Sequence, residues 1–171
     1  TRNITEGMGG YDTHPRFSPD GKRISWISME RDGYEADLKR LFVQDLKTGQ
    51  KTFLTDGFEY DVDELQWSAN SQSLFFLSTK HAEAQLWEIA LKGRKIRQIT
   101  TGMHDYTSLD VQGGKILAGR QSYIEPTDLY LVDVKTGAAK QLTAENKSTL
   151  DGLAPISVEK RWVKTTDGGN M

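Results

Sequence analysis

The sequence contains no cysteine, which excludes disulfide-stapled scaffolds and metal sites built on thiolates. No apolar run approaches the roughly 20 residues that a membrane-spanning helix needs. Acidic and basic residues nearly balance, 24 against 22 in a chain of 171 residues, and the cations are scattered rather than gathered in one stripe. From these features we expect no nucleic-acid partner, no membrane partner and no cofactor.

What the sequence does have is a repeat. The segment Phe17-Ser18-Pro19-Asp20-Gly21-Lys22-Arg23-Ile24 recurs as Trp67-Ser68-Ala69-Asn70-Ser71 and, in a more worn form, over residues 111–116. Each copy is followed by a closing threonine, and an orphan ending precedes all three, so that these threonines lie at positions 5, 55, 100 and 143. A period in the forties with several short strands per unit is typical of propeller blades.

The repeat predicts an all-β fold: a partial β-propeller of about three four-stranded antiparallel blades, plus one outer strand of a preceding blade. Second and third strands such as Leu74–Leu77 are almost continuously apolar, which is expected where blades cover both faces of a sheet. The predicted units are residues 1–5 for the outer strand, 6–57, 58–102 and 103–144 for the blades, and 145–171 for a connector.

The first blade carries an insertion. Phe17 and Leu41 are 24 residues apart, whereas Trp67 and Leu86 are 19 apart, so the loop over residues 29–39 has about five extra residues. Because strands alternate in direction, this loop is expected on the same face of the ring as the loops between blades, 58–64 and 103–108. Function is expected on that ornamented face, since loops held by a rigid scaffold often carry it.

The segments over residues 17–22, 45–49 and 54–57 resemble TolB-type propeller repeats, which are also found in the prolyl oligopeptidase (S9) family of serine peptidases. Two further segments are similar to the dipeptidyl peptidase IV- and V-like members of that family. They are residues 28–37, which are similar to a loop of the propeller, and residues 158–168, which are similar to the connector that leads into the α/β-hydrolase domain.

This resemblance implies a propeller that gates substrate for a serine dipeptidyl peptidase, an enzyme that cleaves oligopeptides from the N-terminus. It also implies a periplasmic or secreted protein whose hydrolase domain would follow Met171. The chain has no Gly-x-Ser-x-Gly nucleophile elbow, so we expect these 171 residues to be non-catalytic. The alternative is a non-catalytic, TolB-like propeller module that binds a protein partner on its ornamented face.

The resemblance also suggests substrate-binding residues, because acidic side chains of the propeller hold the free amine of the substrate in dipeptidyl peptidases. Glu30 and Glu35 have the chemistry for that contact, and Arg31 could hold a peptide carbonyl. Asp61 and His104, in the loops between blades, are further candidates. The structural alternative is that the charged loop is merely solvated and that aspartates such as Asp61 cap backbone N–H groups.

Two further expectations concern packing. Trp26, Trp67 and Trp87 recur at strand positions and are expected in the core between blades. A blade face that no neighbour covers leaves apolar surface in water, so we expect the chain to self-associate. No residue is predicted to bind a metal, because no histidine has suitably spaced partners.

Overall fold

The computed structural model describes residues 2–154 and 156–171, and these contain thirteen strands and one short helix. The strands are β1 Asp12–Phe17, β2 Arg23–Ser28, β3 Arg40–Asp45, β4 Lys51–Phe53, β5 Asp63–Trp67, β6 Ser73–Lys80, β7 Glu83–Ala90, β8 Ile96–Gln98, β9 Asp105–Tyr106, β10 Asp110–Gln112, β11 Lys115–Gln121, β12 Asp128–Asp133 and β13 Ala139–Gln141. The helix is α1 Lys147–Leu150.

The strands form three antiparallel sheets, each a meander of consecutive strands. Their orders are β1-β2-β3-β4, β5-β6-β7-β8 and β10-β11-β12-β13, and the short β9 also pairs with β11. The predicted all-β architecture of about three four-stranded antiparallel blades is therefore confirmed. The strands of each sheet lie inside one predicted unit, while the outer boundaries of those units stay predictions.

The second sheet lies in the centre of the core and is buried on both faces. Leu74 and Phe76 of β6 pack towards the first sheet, and their neighbours Phe75 and Leu77 pack towards the third. This arrangement explains the unbroken apolar run in β6, because alternate side chains point to opposite faces of a strand. The three tryptophans expected in the core, Trp26, Trp67 and Trp87, are all buried.

The repeated threonines have a common structural role. The Oγ1 atom of Thr55 accepts a hydrogen bond of 3.0 Å from the backbone N–H of Leu41, the first core residue of β3. The same contact recurs between Thr100 and Leu86 at 3.0 Å, and again in the third sheet between Thr143 and the equivalent leucine. Each threonine thus joins the segment that leaves a sheet to that sheet's third strand, which accounts for the period in the sequence.

The structure differs from the sequence prediction at two places. Residues 2–11 contain turns and no strand, so the outer strand predicted over residues 1–5 is not formed by Arg2–Thr5, and Thr1 lies outside the described residues. The reason is that Thr5 O bonds locally to the N–H of Met8, in a turn rather than a ladder. The single-turn helix α1 was not predicted. None of the helices in the described ranges has the length and apolar character needed to cross a bilayer.

The β6–β7 hairpin turns through two residues that are not glycine, His81 and Ala82, whose φ angles are 53° and 63°. Both central positions of such a turn require positive φ, which glycine adopts without a steric penalty. We therefore expect Ala82→Gly to raise the free energy of unfolding by about 1 kcal/mol. Ala84→Gly, two residues later inside β7, is the matched control and is expected to lower stability. Urea denaturation of both variants checks this, and a loss of stability in Ala82→Gly would contradict it.

Candidate functional site

The inserted loop over residues 29–39 lies against the loop that joins the first two sheets. Asp61 Oδ1 accepts a hydrogen bond of 2.7 Å from the backbone N–H of Lys39, and Lys39 O accepts one of 3.0 Å from the N–H of Val62. The ammonium of Lys39 also lies 2.6 Å from Asp63 Oδ1, and this contact raises the pKa of Lys39. The structure therefore brings the insertion and the loop between blades together on one face, as the sequence predicted.

The loop is organised around one buried carboxylate, that of Asp37. Residues 30–36 are all exposed, but Asp37 is only 7% exposed. Its carboxylate accepts a hydrogen bond of 2.6 Å from the backbone N–H of Arg31 and two from the side chain of the same arginine, one of 2.8 Å from Nε and one from Nη2. The hydrogen bonds from the Arg31 side chain are the main cause of the lowered pKa of Asp37. The Cζ atom of Arg31 also lies 3.8 Å from the centroid of the Tyr34 ring. The loop thus has a fixed conformation despite its exposure.

Two of the predicted substrate-binding residues already have charged partners. The Arg31 guanidinium is held by Asp37, and the Glu30 carboxylate lies 2.6 Å from Nη2 of Arg40. One carboxylate oxygen of Asp61 accepts a hydrogen bond from the backbone N–H of Lys39, at the end of the loop. Each of these groups would have to give up or share an existing contact in order to bind a ligand.

Glu35 is different, because no hydrogen bond or ion pair engages its carboxylate within the part of the chain that the structure describes. It is exposed and lines a cavity of about 370 Å³, here called the loop cavity, together with Tyr11, His14 and Met29. The charged pair Lys39–Asp63 also lines the loop cavity, and its two members bind each other. Glu35 therefore supplies an unpaired negative charge to a cavity whose other charges are matched.

His104 lies away from that loop and lines a second cavity together with His81 and Glu83 at the tip of the β6–β7 hairpin. Its imidazole packs edge-on against Tyr106 with ring centroids 5.2 Å apart, and burial followed by the positive charge of Arg120 lowers its pKa. The next residue, Asp105, accepts a hydrogen bond of 2.8 Å from the N–H of Ala84. This bond is equivalent to that between Asp61 and Lys39, so the aspartates of both loops cap the start of the preceding sheet's third strand.

The buried carboxylate of Asp37 and the second cavity are not predicted by the sequence. Asp37 has a neighbour of identical chemistry in Asp32, and nothing in the local sequence separates the buried carboxylate from the exposed one. The two-residue turn without glycine at His81-Ala82 is a signal that could have drawn attention to the second cavity. Over residues 2–154 and 156–171 no group of three or more acidic or histidine side chains is arranged to hold a metal ion.

Comparisons with known proteins place this geometry in context. The family described as the dipeptidyl peptidase IV (DPP IV) N-terminal region matches residues 10–119. Over its whole length the chain is 61% identical to the dipeptidyl-peptidase 5 of Porphyromonas gingivalis and covers 25% of that protein. It is 55% identical to the dipeptidyl-peptidase 5 of Porphyromonas endodontalis, again over its whole length and 25% of the relative. It therefore spans about a quarter of the length of these curated relatives.

Solved structures share the fold at low sequence identity. An acylaminoacyl peptidase in complex with Z-Gly-Gly-Phe-chloromethyl ketone aligns with a TM-score of 0.72 and 20% sequence identity, and the alignment covers 86% of this chain and 22% of the peptidase chain. The β-propeller domain of the Trilobed protease from Pyrococcus furiosus matches 74% with 38% of its own, at a TM-score of 0.60 and 21% identity. The three sheets are thus blades of a β-propeller.

Proposed function

The chain belongs to the dipeptidyl peptidase IV N-terminal region family, and from this membership we propose that its blades form part of a propeller that admits and orients oligopeptides for a serine dipeptidyl peptidase. Supporting this proposal, the relatives named above are dipeptidyl-peptidases, and the chain corresponds to about a quarter of each. The catalytic hydrolase domain would lie in the remainder of the protein. Periplasmic or secreted location, and self-association of these 171 residues, stay predictions.

We assign the contact with the substrate's N-terminal amine to Glu35. The observation that carries this proposal is the unpaired carboxylate at the wall of the loop cavity. An ammonium group is the partner that such a carboxylate favours, because a charge-assisted hydrogen bond forms in a half-enclosed site. The hydrogen bonds between Asp37 and Arg31 hold the loop that carries Glu35, so the carboxylate meets the amine from a fixed backbone.

The test uses the full-length protein, dipeptidyl chromogenic substrates and the variant Glu35→Gln. Loss of one charged hydrogen bond to substrate costs about 1.5–3 kcal/mol, so we expect kcat/KM to fall roughly 10- to 150-fold. Glu30→Gln is the matched control, because its carboxylate is already paired with Arg40, and kcat/KM is expected to stay within about 3-fold of the wild type.

A second substrate makes the assay specific for the amine. An N-acetylated analogue has no ammonium group, so residual cleavage of it is expected to be equally slow in the wild type and in Glu35→Gln. Equal kcat/KM for the wild type and Glu35→Gln on the free-amine substrate would refute the assignment. Absence of any peptidase activity in the full-length protein would favour the alternative, a propeller module that binds a protein partner.

A further inference from the structure

The first strand of the first sheet contains a β-bulge. Two residues of β1, His14 and Pro15, lie opposite the single residue Trp26 of β2. The φ angle of His14 is 53°, in the left-handed region of backbone space. Pro15 has no backbone N–H, so it suits a position that is left out of the hydrogen-bonded ladder. A bulge of this kind turns a side chain away from the regular alternation of its strand.

The second sheet has a bulge at the equivalent position. Glu64 is the extra residue in β5, and its φ angle is 47°. It lies 50 positions after His14, which is the period between the first two repeats. The bulged backbone thus belongs to the common plan of these sheets. Glycine adopts such φ angles without a steric penalty, so the backbone does not itself require a side chain at either position.

The two bulges differ in what their side chains face, because His14 lines the loop cavity and Glu64 does not. The loop cavity lies between the first and second sheets: Ile27 in its wall belongs to the core cluster between them, and Asp63 begins β5. The place of His14 in this wall is therefore set by two neighbouring sheets, together with the inserted loop that carries Glu35.

The imidazole of His14 has one polar atom without a partner. Its Nδ1 atom lies 3.1 Å from Oγ1 of Thr13, and no residue in the described part of the chain makes a hydrogen bond with Nε2. A ring nitrogen of histidine can donate or accept, and the hydroxyl of Thr13 can rotate to match the opposite nitrogen. Nε2 can therefore bind either a carbonyl oxygen or an N–H group.

A peptide whose amine binds Glu35 brings a second polar group into the loop cavity. Its first peptide group is separated from the amine by one Cα atom, so both enter together, and a peptide group that leaves water without a partner is costly to bury. The hydroxyl of Tyr11 and Nε2 of His14 are available as partners in the cavity wall. The imidazole is the better one, because its contact with Thr13 already orients the ring and less freedom is lost on binding.

We propose that His14 is a second ligand-binding residue of the loop cavity and that its Nε2 atom forms a hydrogen bond with the first peptide group of the ligand. The proposal rests on the proposed function for the peptide nature of the ligand, and it adds the group that is recognised beside the amine. The bulge in β1 places the imidazole for this contact, and the same bulge in β5 carries a side chain outside the cavity.

The test measures binding of two ligands to the full-length protein by titration calorimetry. One is the dipeptide alanylalanine, and the other is its trans-alkene isostere, which keeps the amine and both methyl side chains but has no peptide group. The wild type is expected to bind the dipeptide about 3- to 10-fold more tightly than the isostere, as one neutral hydrogen bond allows. His14→Gly is expected to bind the two ligands equally.

Glu64→Gly is the matched control, because it makes the same backbone change in the equivalent bulge outside the loop cavity, and it is expected to keep the full preference for the dipeptide. Neither glycine variant is expected to unfold at a lower urea concentration than the wild type. His14→Asn gives a second version of the deletion, because asparagine also tolerates positive φ and its shorter side chain does not reach the position of Nε2. It is expected to lose the preference as His14→Gly does.

Equal binding of both ligands by the wild type, or an unchanged preference in the two His14 variants, would overturn the proposal. Loss of the preference in Tyr11→Phe with full preference in His14→Gly would do the same. Glu35→Gln is expected to weaken both ligands by one factor, because both carry the amine. A preference that depends on His14 together with unaffected binding by Glu35→Gln would refute the amine contact alone, and the reverse pattern would refute the His14 contact alone. Absence of dipeptide binding by the wild type would refute both.

Discussion

Gly137→Ala is expected to lower the free energy of unfolding by about 3 kcal/mol, the largest effect that we predict for a single substitution. Gly137 has a φ angle of 73°, in the left-handed region that costs an alanine about 1–2 kcal/mol. A Cβ atom added there would also lie 2.2 Å from the backbone oxygen of Ile99. That residue cannot easily retreat, because its N–H is bonded to Leu86 O at 2.8 Å in the second sheet.

Gly49 provides the matched control, because it occupies the equivalent Lys-Thr-Gly turn of the first sheet with a φ angle of 74°. A Cβ atom at Gly49 would meet only side-chain atoms, at 3.7 Å or more. Gly49→Ala should therefore pay the backbone penalty alone, about 1 kcal/mol. Urea denaturation of both variants measures the two losses of unfolding free energy. Equal losses would show that the close approach of Gly137 to the backbone of Ile99 does not affect stability.

Thr55→Val is expected to lower the free energy of unfolding by about 2 kcal/mol. Valine has nearly the shape of threonine, so the change removes the Oγ1 acceptor and leaves packing almost intact. The backbone N–H of Leu41 would then lose its partner at a residue with 0% exposure, where water cannot replace the bond.

The same substitution at Thr143 is the natural control for Thr55→Val. Thr143 makes the equivalent bond to Leu129 and also donates a hydrogen bond of 2.6 Å to Asp128 Oδ1. Leu129 is 42% exposed, so water can solvate the groups that the change leaves without a partner. We expect Thr143→Val to cost about 0.5 kcal/mol, measured in the same denaturation series. A larger loss at Thr143 than at Thr55 would contradict the view that burial makes this repeated bond valuable.

The fold could be predicted from the sequence because its determinants recur. These determinants are local patterns, which can be identified in the sequence without knowledge of distant contacts. They include the Pro-Asp-Gly turn after Phe17, the apolar run of β6 and the threonines at 55, 100 and 143. No strand forms over Arg2–Thr5, because the outer strand of a unit is stabilised by pairing with the third strand of its own sheet, and none of the described residues pairs with this segment in that way.

The candidate site could be predicted only in part. The sequence marks residues 29–39 as an acidic insertion, but it cannot tell which carboxylates are already paired. Glu30 binds Arg40, ten residues away, and Glu35 binds no side chain in the described part of the chain, yet both are exposed glutamates in one loop. The second cavity, which His104 lines, is harder still to predict from the sequence, because Glu83 and Lys160 are 77 positions apart and meet only in the folded chain.

The caps formed by Asp61 and Asp105 separate the length of a hairpin from the integrity of its blade. Each aspartate binds a backbone N–H within one residue of the start of the third strand, whether eleven or two residues separate that strand from the second. Evolution can therefore lengthen, shorten or recharge these tips without loosening the sheets beneath them. Sheets built on one repeated plan can therefore carry loops that differ from unit to unit on one face.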